Sequence, residues 1–323
     1  MLESVPCPCG STKSPEYVIR AVDELSGDSF SYLSCPDCTL FRLSPRPTPA
    51  EIGAYYPQHY APHVGPAPSG LTDALKRLIY QVYWAPDENV PLCIRKIRWL
   101  LRLALRPIRY RSILAFTPPE GRRVFEFGAA KATDLLAFRA AGWEVEGCEP
   151  SAQACALAAA QGIQLQQATA ETALLADNAY SFILFNNVFE HIYNPVSVLE
   201  KCRQALVPGG VLILIVPNHA SFTSRVFGAA WPGYDAPRHI WGWTPAAMRR
   251  FCEAAGFKIL GIHHQFTGAW MWRSTLDMRH APGAPGPLRR LLARRAAHAL
   301  LPLSIGAAWL GHGDFIRVVA RKI

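Results

Sequence analysis

The stretch "YSFILFNNVFEHIYNPVSVLEKCRQALVPGGVLILIVPN", residues 180–218, constrains the fold of this chain more than any other. Two apolar runs flank a helical pattern that Asn194 can cap, that Pro195 suits at its first turn and that Pro-Gly-Gly terminates. Strands that are apolar without alternation are buried on both faces, which requires a parallel sheet covered by helices on either side. The same grammar recurs around it. "RVFEF", "EVEGC", "KILGIHH" and "FIRVVA" read as strands, and "DLLAFRAA" and the Thr244-capped "TPAAMRRFCEAAGF" as helices. The fold class is therefore α/β, a Rossmann-like, mostly parallel sheet.

In such a sheet ligands bind beyond the carboxyl ends of the strands. After the first strand comes "EFGAAKA", where Gly128 permits a tight turn and the following helix, starting near Thr133, points amides at a ligand. After the second comes Glu149, spaced to accept both ribose hydroxyls of a nucleoside-containing cofactor. The loop lacks GxGxxG spacing, which argues against a dinucleotide oxidoreductase.

The run from Tyr180 to Asn218, followed by "PRHIWGWTPAAMRRFCEAAGF" and a last strand in "GDFIRVVARK", resembles class I S-adenosylmethionine-dependent methyltransferases, with distant similarity to ubiquinone-biosynthesis O-methyltransferases. The resemblance implies a seven-stranded sheet and a methyl transfer to a small molecule, saccharide or lipid-linked intermediate, with oxygen the first acceptor atom and carbon the second. It implies that Glu126, Phe127, Gly128, Ala129 and Ala130 form the loop around the methionine moiety, and that Glu149 and Pro150 meet the ribose. It sets Ala170 and Glu171 beside the adenine, and Asn186, Asn187, Glu190 and His191 at the methyl-transfer end. His239 is the stronger candidate for a base at the acceptor, with His191 second, since neutral imidazole takes a proton near pH 7. Asn187 stands where the ubiquinone-type enzymes carry a further glutamate, so no catalytic metal is expected.

Ala130 and Ala132 replace glycines of the family. Left-handed backbone at both would cost about 1–2 kcal/mol each, so the expectation is that both stay at negative φ. The competing reading is a non-catalytic binding or scaffold protein with a degenerate cofactor loop.

Nine cysteines are present, of which Cys7, Cys9, Cys35 and Cys38 cluster at the start as "CPCG" and "CPDC". Cys35-Pro-Asp-Cys38 has the knuckle spacing of a zinc site, and the upstream pair completes a four-thiolate set. The expected metal is zinc in a structural role, because four thiolates leave no open position. The segment is similar to the zinc-binding leader of some methyltransferases.

Three regions follow: a zinc-ribbon-like lobe over 1–45, a Pro-rich connector and basic helical region over 46–117, and the methyltransferase domain over 118–323 with an insertion at about 266–312. In the connector Tyr55, Tyr56 and Tyr60 are available to pack against something. Net charge is +9, and residues 76–111 hold nine Lys/Arg against two acids, interleaved with apolar residues. That pattern suits peripheral contact with an anionic membrane, although a solvated helical layer is the favoured reading. No nucleic-acid motif accompanies it. With no signal-peptide pattern and no apolar run of about 20 residues, the expected location is cytoplasmic, with membrane association on the cytoplasmic face as the second reading.

Overall fold

The computed structural model of the chain describes residues 2–23, 25–56, 78, 81–82, 87–104, 121–265 and 299–323. Tyr60, most of the Pro-rich connector and residues 266–298 of the expected insertion lie outside them.

The large sheet has six strands: β6 (Arg123–Phe127), β7 (Glu144–Cys148), β8 (Tyr180–Asn186), β9 (Leu206–Pro217), β11 (Phe257–Gln265) and β12 (Phe315–Lys322). Their order is β11-β12-β9-β8-β6-β7, with β7, β6, β8 and β9 parallel and β12 antiparallel to both neighbours. The seventh strand expected beyond β7 is reduced, among the described residues, to one parallel bridge between Cys148 and Gln166. "IQLQQA" has too few apolar residues in succession to bury two faces.

Alternation along each strand feeds two cores. Phe125, Phe127, Ile183, Phe185, Leu212 and Leu214 pack on one face. Val124, Phe182, Leu184, Val211 and Ile213 pack on the other with Leu135, Phe138 and Trp143. Each such side chain contributes about 1.5–3 kcal/mol when buried, so the sheet is a firm platform for whatever projects from its ends.

The described helices are α1 (Leu92–Ala104), α2 (Thr133–Ala140), α3 (Ala152–Ala159), α4 (Pro195–Ala205), α5 (Phe222–Phe227), α6 (Pro245–Ala254) and α7 (Leu301–Trp309). The caps read from sequence are present: Asn194 accepts from Ser197 N–H at α4, and Thr244 accepts from Ala247 N–H at α6.

A small antiparallel sheet joins β2 (Val18–Val22), β3 (Ser29–Ser34) and β4 (Phe41–Leu43), and takes its fourth strand, β10 (Trp241–Gly242), from far along the chain. Two short strands, β1 (Leu2–Glu3) and β5 (Arg46–Pro47), pair beside it. Tyr32, Leu40 and Leu43 of the small sheet belong to the same core as Phe185 and Phe189. The lobe and the large sheet thus bury apolar surface against one another.

Candidate active site

The ends of β6, β7 and β8 bring the site together. At the end of β6 the chain turns at Gly128, φ +61°, where a Cβ would lie 2.4 Å from Val188 Cγ2. Only glycine lets the loop approach the turn that follows β8 this closely. Ala129 N–H then donates to Cys148 O at 3.0 Å, drawing the loop across the end of β7.

Both alanines adopt the left-handed conformation, Ala130 at φ +47° and Ala132 at φ +58°. The expectation of negative φ is therefore overturned. The reason is visible in the hydrogen bonds: Ala132 N–H closes a turn onto Ala129 O at 2.7 Å, and Ala130 N–H donates to Glu149 Oε2 at 3.0 Å. Ala132 is wholly buried in the second core, so its methyl gains packing that offsets part of the backbone strain.

Glu149, 2% exposed, follows β7 directly and also accepts from Ser151 N–H through Oε1 at 2.9 Å. Those amides take two of about four acceptor positions on a carboxylate. The donor set fits a nucleoside cofactor: a buried carboxylate just beyond the end of a parallel strand, held by loop amides. Pro150 follows it. Ala170 is buried, and Glu171 turns its carboxylate to Tyr193 N–H at 2.8 Å. Lys201 clamps this segment by donating to the carbonyls of Ala170, Glu171 and Ala173 at 2.6–3.0 Å. Asn186 donates to Asp134 Oδ2 at 3.1 Å, tying the end of β8 to the first turn of α2, and Asn187 is exposed at φ +57°.

Beyond β8 the carbonyls of residues 190 and 192 accept from the segment at 240–241, Glu190 O from Ile240 N–H at 3.0 Å and Ile192 O from the Trp241 indole Nε1–H at 2.6 Å. This places His191 and His239, 48 positions apart in sequence, with ring centroids 4.7 Å apart and perpendicular. Ligand-type atoms of Glu190, His191 and His239 lie within 4.8 Å of one another.

His239 Nδ1 lies 2.8 Å from Gly233 O and His191 Nδ1 2.8 Å from Arg238 O. A carbonyl only accepts, so both rings carry their proton on Nδ1 when neutral and leave Nε2 as an acceptor. Burial lowers His191 to about 3, with His239 opposing its protonation as well. Burial also lowers His239, partly countered by Asp235. Its Nε2 faces Glu190 Oε1 and Asp235 Oδ2, each at 3.8 Å. Glu190 is fully buried with no hydrogen bond to either carboxyl oxygen among the described residues, and burial pushes it up to about 8. Asp235 goes the other way. Burial would raise it, but His239 and Arg238 outweigh that and hold it low.

Asp235 and Arg238 have no role legible in their spacing, whereas Glu190 is expected near this end of the site. Tyr56, foreseen only as a packing residue, has its hydroxyl 3.3 Å from His191 Nδ1.

At the amino end, Sγ–Sγ separations are 3.3 Å for Cys7–Cys9, 3.5 Å for Cys7–Cys38 and 3.6 Å for Cys9–Cys35. Four thiolates at 2.3 Å from one tetrahedral zinc stand about 3.8 Å apart. The residues fit that ion, the Cys7-Pro-Cys9 gap included. The hydrogen bond from Cys38 pulls Cys7 down to about 5, into its ligating thiolate form, and correspondingly raises Cys38.

The methyltransferase-domain family matches residues 98–262, more than half of the 323 residues. The chain belongs to this methyltransferase family. The Cereibacter sphaeroides ubiquinone biosynthesis O-methyltransferase is 28% identical over 158 residues, 45% of this chain and 64% of that protein. The Burkholderia thailandensis enzyme of the same name is 24% identical over 171 residues, 49% and 74%. The chain therefore spans less than two thirds of the first of these relatives. Among solved structures, an S-adenosylmethionine-dependent methyltransferase from Archaeoglobus fulgidus aligns with TM-score 0.45 at 15% identity, covering 72% of this chain and 98% of that one. One from Mesorhizobium loti aligns with TM-score 0.45 at 15% identity, covering 68% and 98%. In the sheet the last strand, β12, is antiparallel and lies between β9 and the edge strand β11.

Proposed function

We propose that the chain transfers a methyl group from S-adenosylmethionine to an oxygen, with carbon as the second choice, of a small molecule, saccharide or lipid-linked intermediate. The observation that carries this reading is His239. It is neutral at pH 7, pinned through Nδ1, and presents Nε2 beside the end of β8. S-adenosylmethionine supplies an already activated methyl group. The protein's work is to hold the acceptor in line, exclude water and receive its proton. Gly128 to Ala132 and Glu149 hold the cofactor, with Ala170 and Glu171 at the base, and Asn186 and Asn187 border the methyl. His239 takes the acceptor's proton, and His191 lines the same space. The positive charge lost at sulfur reappears on the imidazole, facing Asp235 and Glu190, so the site's net charge does not change during the step.

In this reading zinc holds Cys7, Cys9, Cys35 and Cys38 and serves only to fold the small lobe. Helix α1 contributes a membrane-facing surface: Leu92, Trp99 and Leu103 are 57–67% exposed along one stripe, flanked by Arg95, Lys96 and Arg102. Among the described residues no helix is long and apolar enough to cross a bilayer. Co-flotation with anionic but not neutral vesicles at low salt is expected, and its absence would remove the membrane component.

The central test is incubation with methyl-labelled S-adenosylmethionine and cell extract, followed by mass identification of the product. Failure to bind S-adenosylhomocysteine at high micromolar concentration would favour the scaffold reading. A stoichiometric metal lost on His239→Asn would replace the base reading.

A further inference from the structure

The loop that carries His239 is gripped from outside the methyltransferase sheet. Asp23 of the small lobe, 0% exposed, accepts from Arg238 Nη1 at 3.0 Å, and its other oxygen accepts from Ser26 N–H at 3.0 Å. Two backbone bonds brace the turn around it, Asp23 N–H to Asp28 O and Gly27 N–H to Asp23 O. Arg238 is itself 6% exposed. Its remaining donors go to Tyr55 O at 2.7 Å and to both oxygens of Asp235 at 2.6–3.1 Å. The carbonyl of this same arginine orients His191, and its peptide leads directly into His239. A second grip comes from Tyr32, whose hydroxyl lies 2.6 Å from Tyr234 O and 2.5 Å from His239 O.

We propose that Asp23 is a positioning residue: acting through Arg238, it fixes both histidines as Nδ1–H tautomers and leaves both Nε2 atoms as proton acceptors. The inference rests on the reading of His239 and His191 as acceptor-side residues. The physical case is that an arginine side chain has many rotamers, and a buried guanidinium without its anions is strongly disfavoured. Asp235 is a near neighbour in the same loop and moves with it, so it cannot anchor that loop to anything else. Asp23 can, because it sits in the turn after β2, 215 residues away in sequence. With the anchor present, Arg238 O stays in line with His191 Nδ1, and Arg238, bonded to both Asp235 oxygens, keeps the shape of the loop in which Gly233 O meets His239 Nδ1. Without it, each imidazole divides between tautomers as a free one does, and part of the population carries a proton on the nitrogen that has to accept one. The small lobe is then part of the acceptor site rather than an appendage to it.

The test uses the whole chain and needs no acceptor. Long-range proton–nitrogen NMR reads the tautomer of each histidine, and calorimetry with S-adenosylhomocysteine reads the cofactor side. The wild type is expected to show Nδ1–H for His191 and His239. Asp23→Asn should move a substantial fraction of both to the Nε2–H form while the S-adenosylhomocysteine Kd changes by less than about threefold. Should that variant fail to fold, Tyr32→Phe, which removes only the hydroxyl at His239 O, is expected to shift the His239 tautomer. Retention of both tautomers in a folded Asp23→Asn chain, or in Tyr32→Phe where the former does not fold, overturns the proposal. An active His239→Asn enzyme would sink the base reading and leave the tautomer result standing, so the two failures are distinguishable.

Discussion

The proposed cofactor side and the proposed acceptor side of this site are built differently. The cofactor side is local: the loop from Gly128 to Ala132 and Glu149 lie within 22 residues, and backbone amides make its key contacts. The acceptor side draws Asp23, Tyr32, Tyr56, Glu190, His191 and residues 233–239 from four distant segments, and side chains make the contacts. Backbone-made contacts depend on the path of the chain, which Ala130 and Ala132 follow at positive φ. Side-chain-made sites depend on the docking of whole elements.

Damage to the small lobe should therefore separate the two sides. Cys35→Ser is expected to abolish stoichiometric zinc and unfold β2 to β4, since structural zinc in small modules carries on the order of 10 kcal/mol. The acceptor side should be lost while S-adenosylhomocysteine still binds, and loss of both in parallel would refute the division. Less drastically, His239→Asn should lower kcat by about 10²–10⁴, leaving the S-adenosylhomocysteine Kd in place.

The reverse pattern is expected of Glu149→Gln. Loss of a charged hydrogen-bond acceptor costs about 1.5–3 kcal/mol, so cofactor affinity should fall by roughly ten- to a hundredfold in calorimetry, with the histidine tautomers unmoved.

Stability against pH offers a finer probe of the acceptor side. Glu190 is raised from 4.5 to about 8. Between those values the unfolded chain has released a proton that the folded chain retains, so this group makes stability fall as pH rises through the window. Urea denaturation should show Glu190→Gln gaining on the wild type from pH 5 to pH 8, and a constant difference would contradict the assignment. The smallest effect is expected of Ala130→Gly. Relief of the left-handed backbone should stabilise by about 0.5–1 kcal/mol, whereas Ala132→Gly should gain less because a buried methyl is given up.

Much of the fold was legible because it depends on short-range patterning. "VFEF" and "VLILIVP" announce buried strands, and Asn194-Pro195 and Thr244-Pro245 mark helix starts to within a residue. The cluster of Cys7, Cys9, Cys35 and Cys38 was legible from spacing as well. The backbone at Ala130 and Ala132 was misread, because residue type favours negative φ while Glu149 and the turn onto Ala129 hold the opposite. Nothing in the spacing joined Glu190 to Asp235, or Asp23 to Arg238.

By itself, then, the sequence determined the α/β sheet, the starts of α4 and α6, the carboxylate after the second strand and the four-cysteine set. Each follows from hydrophobic periodicity, capping or motif spacing within a few tens of residues. Tertiary structure alone decided that β10 completes the amino-terminal sheet, that two distant histidines face one another, and that an aspartate 215 positions away grips the loop between them. Such contacts depend on how elements dock in three dimensions, and linear order carries no direct record of that.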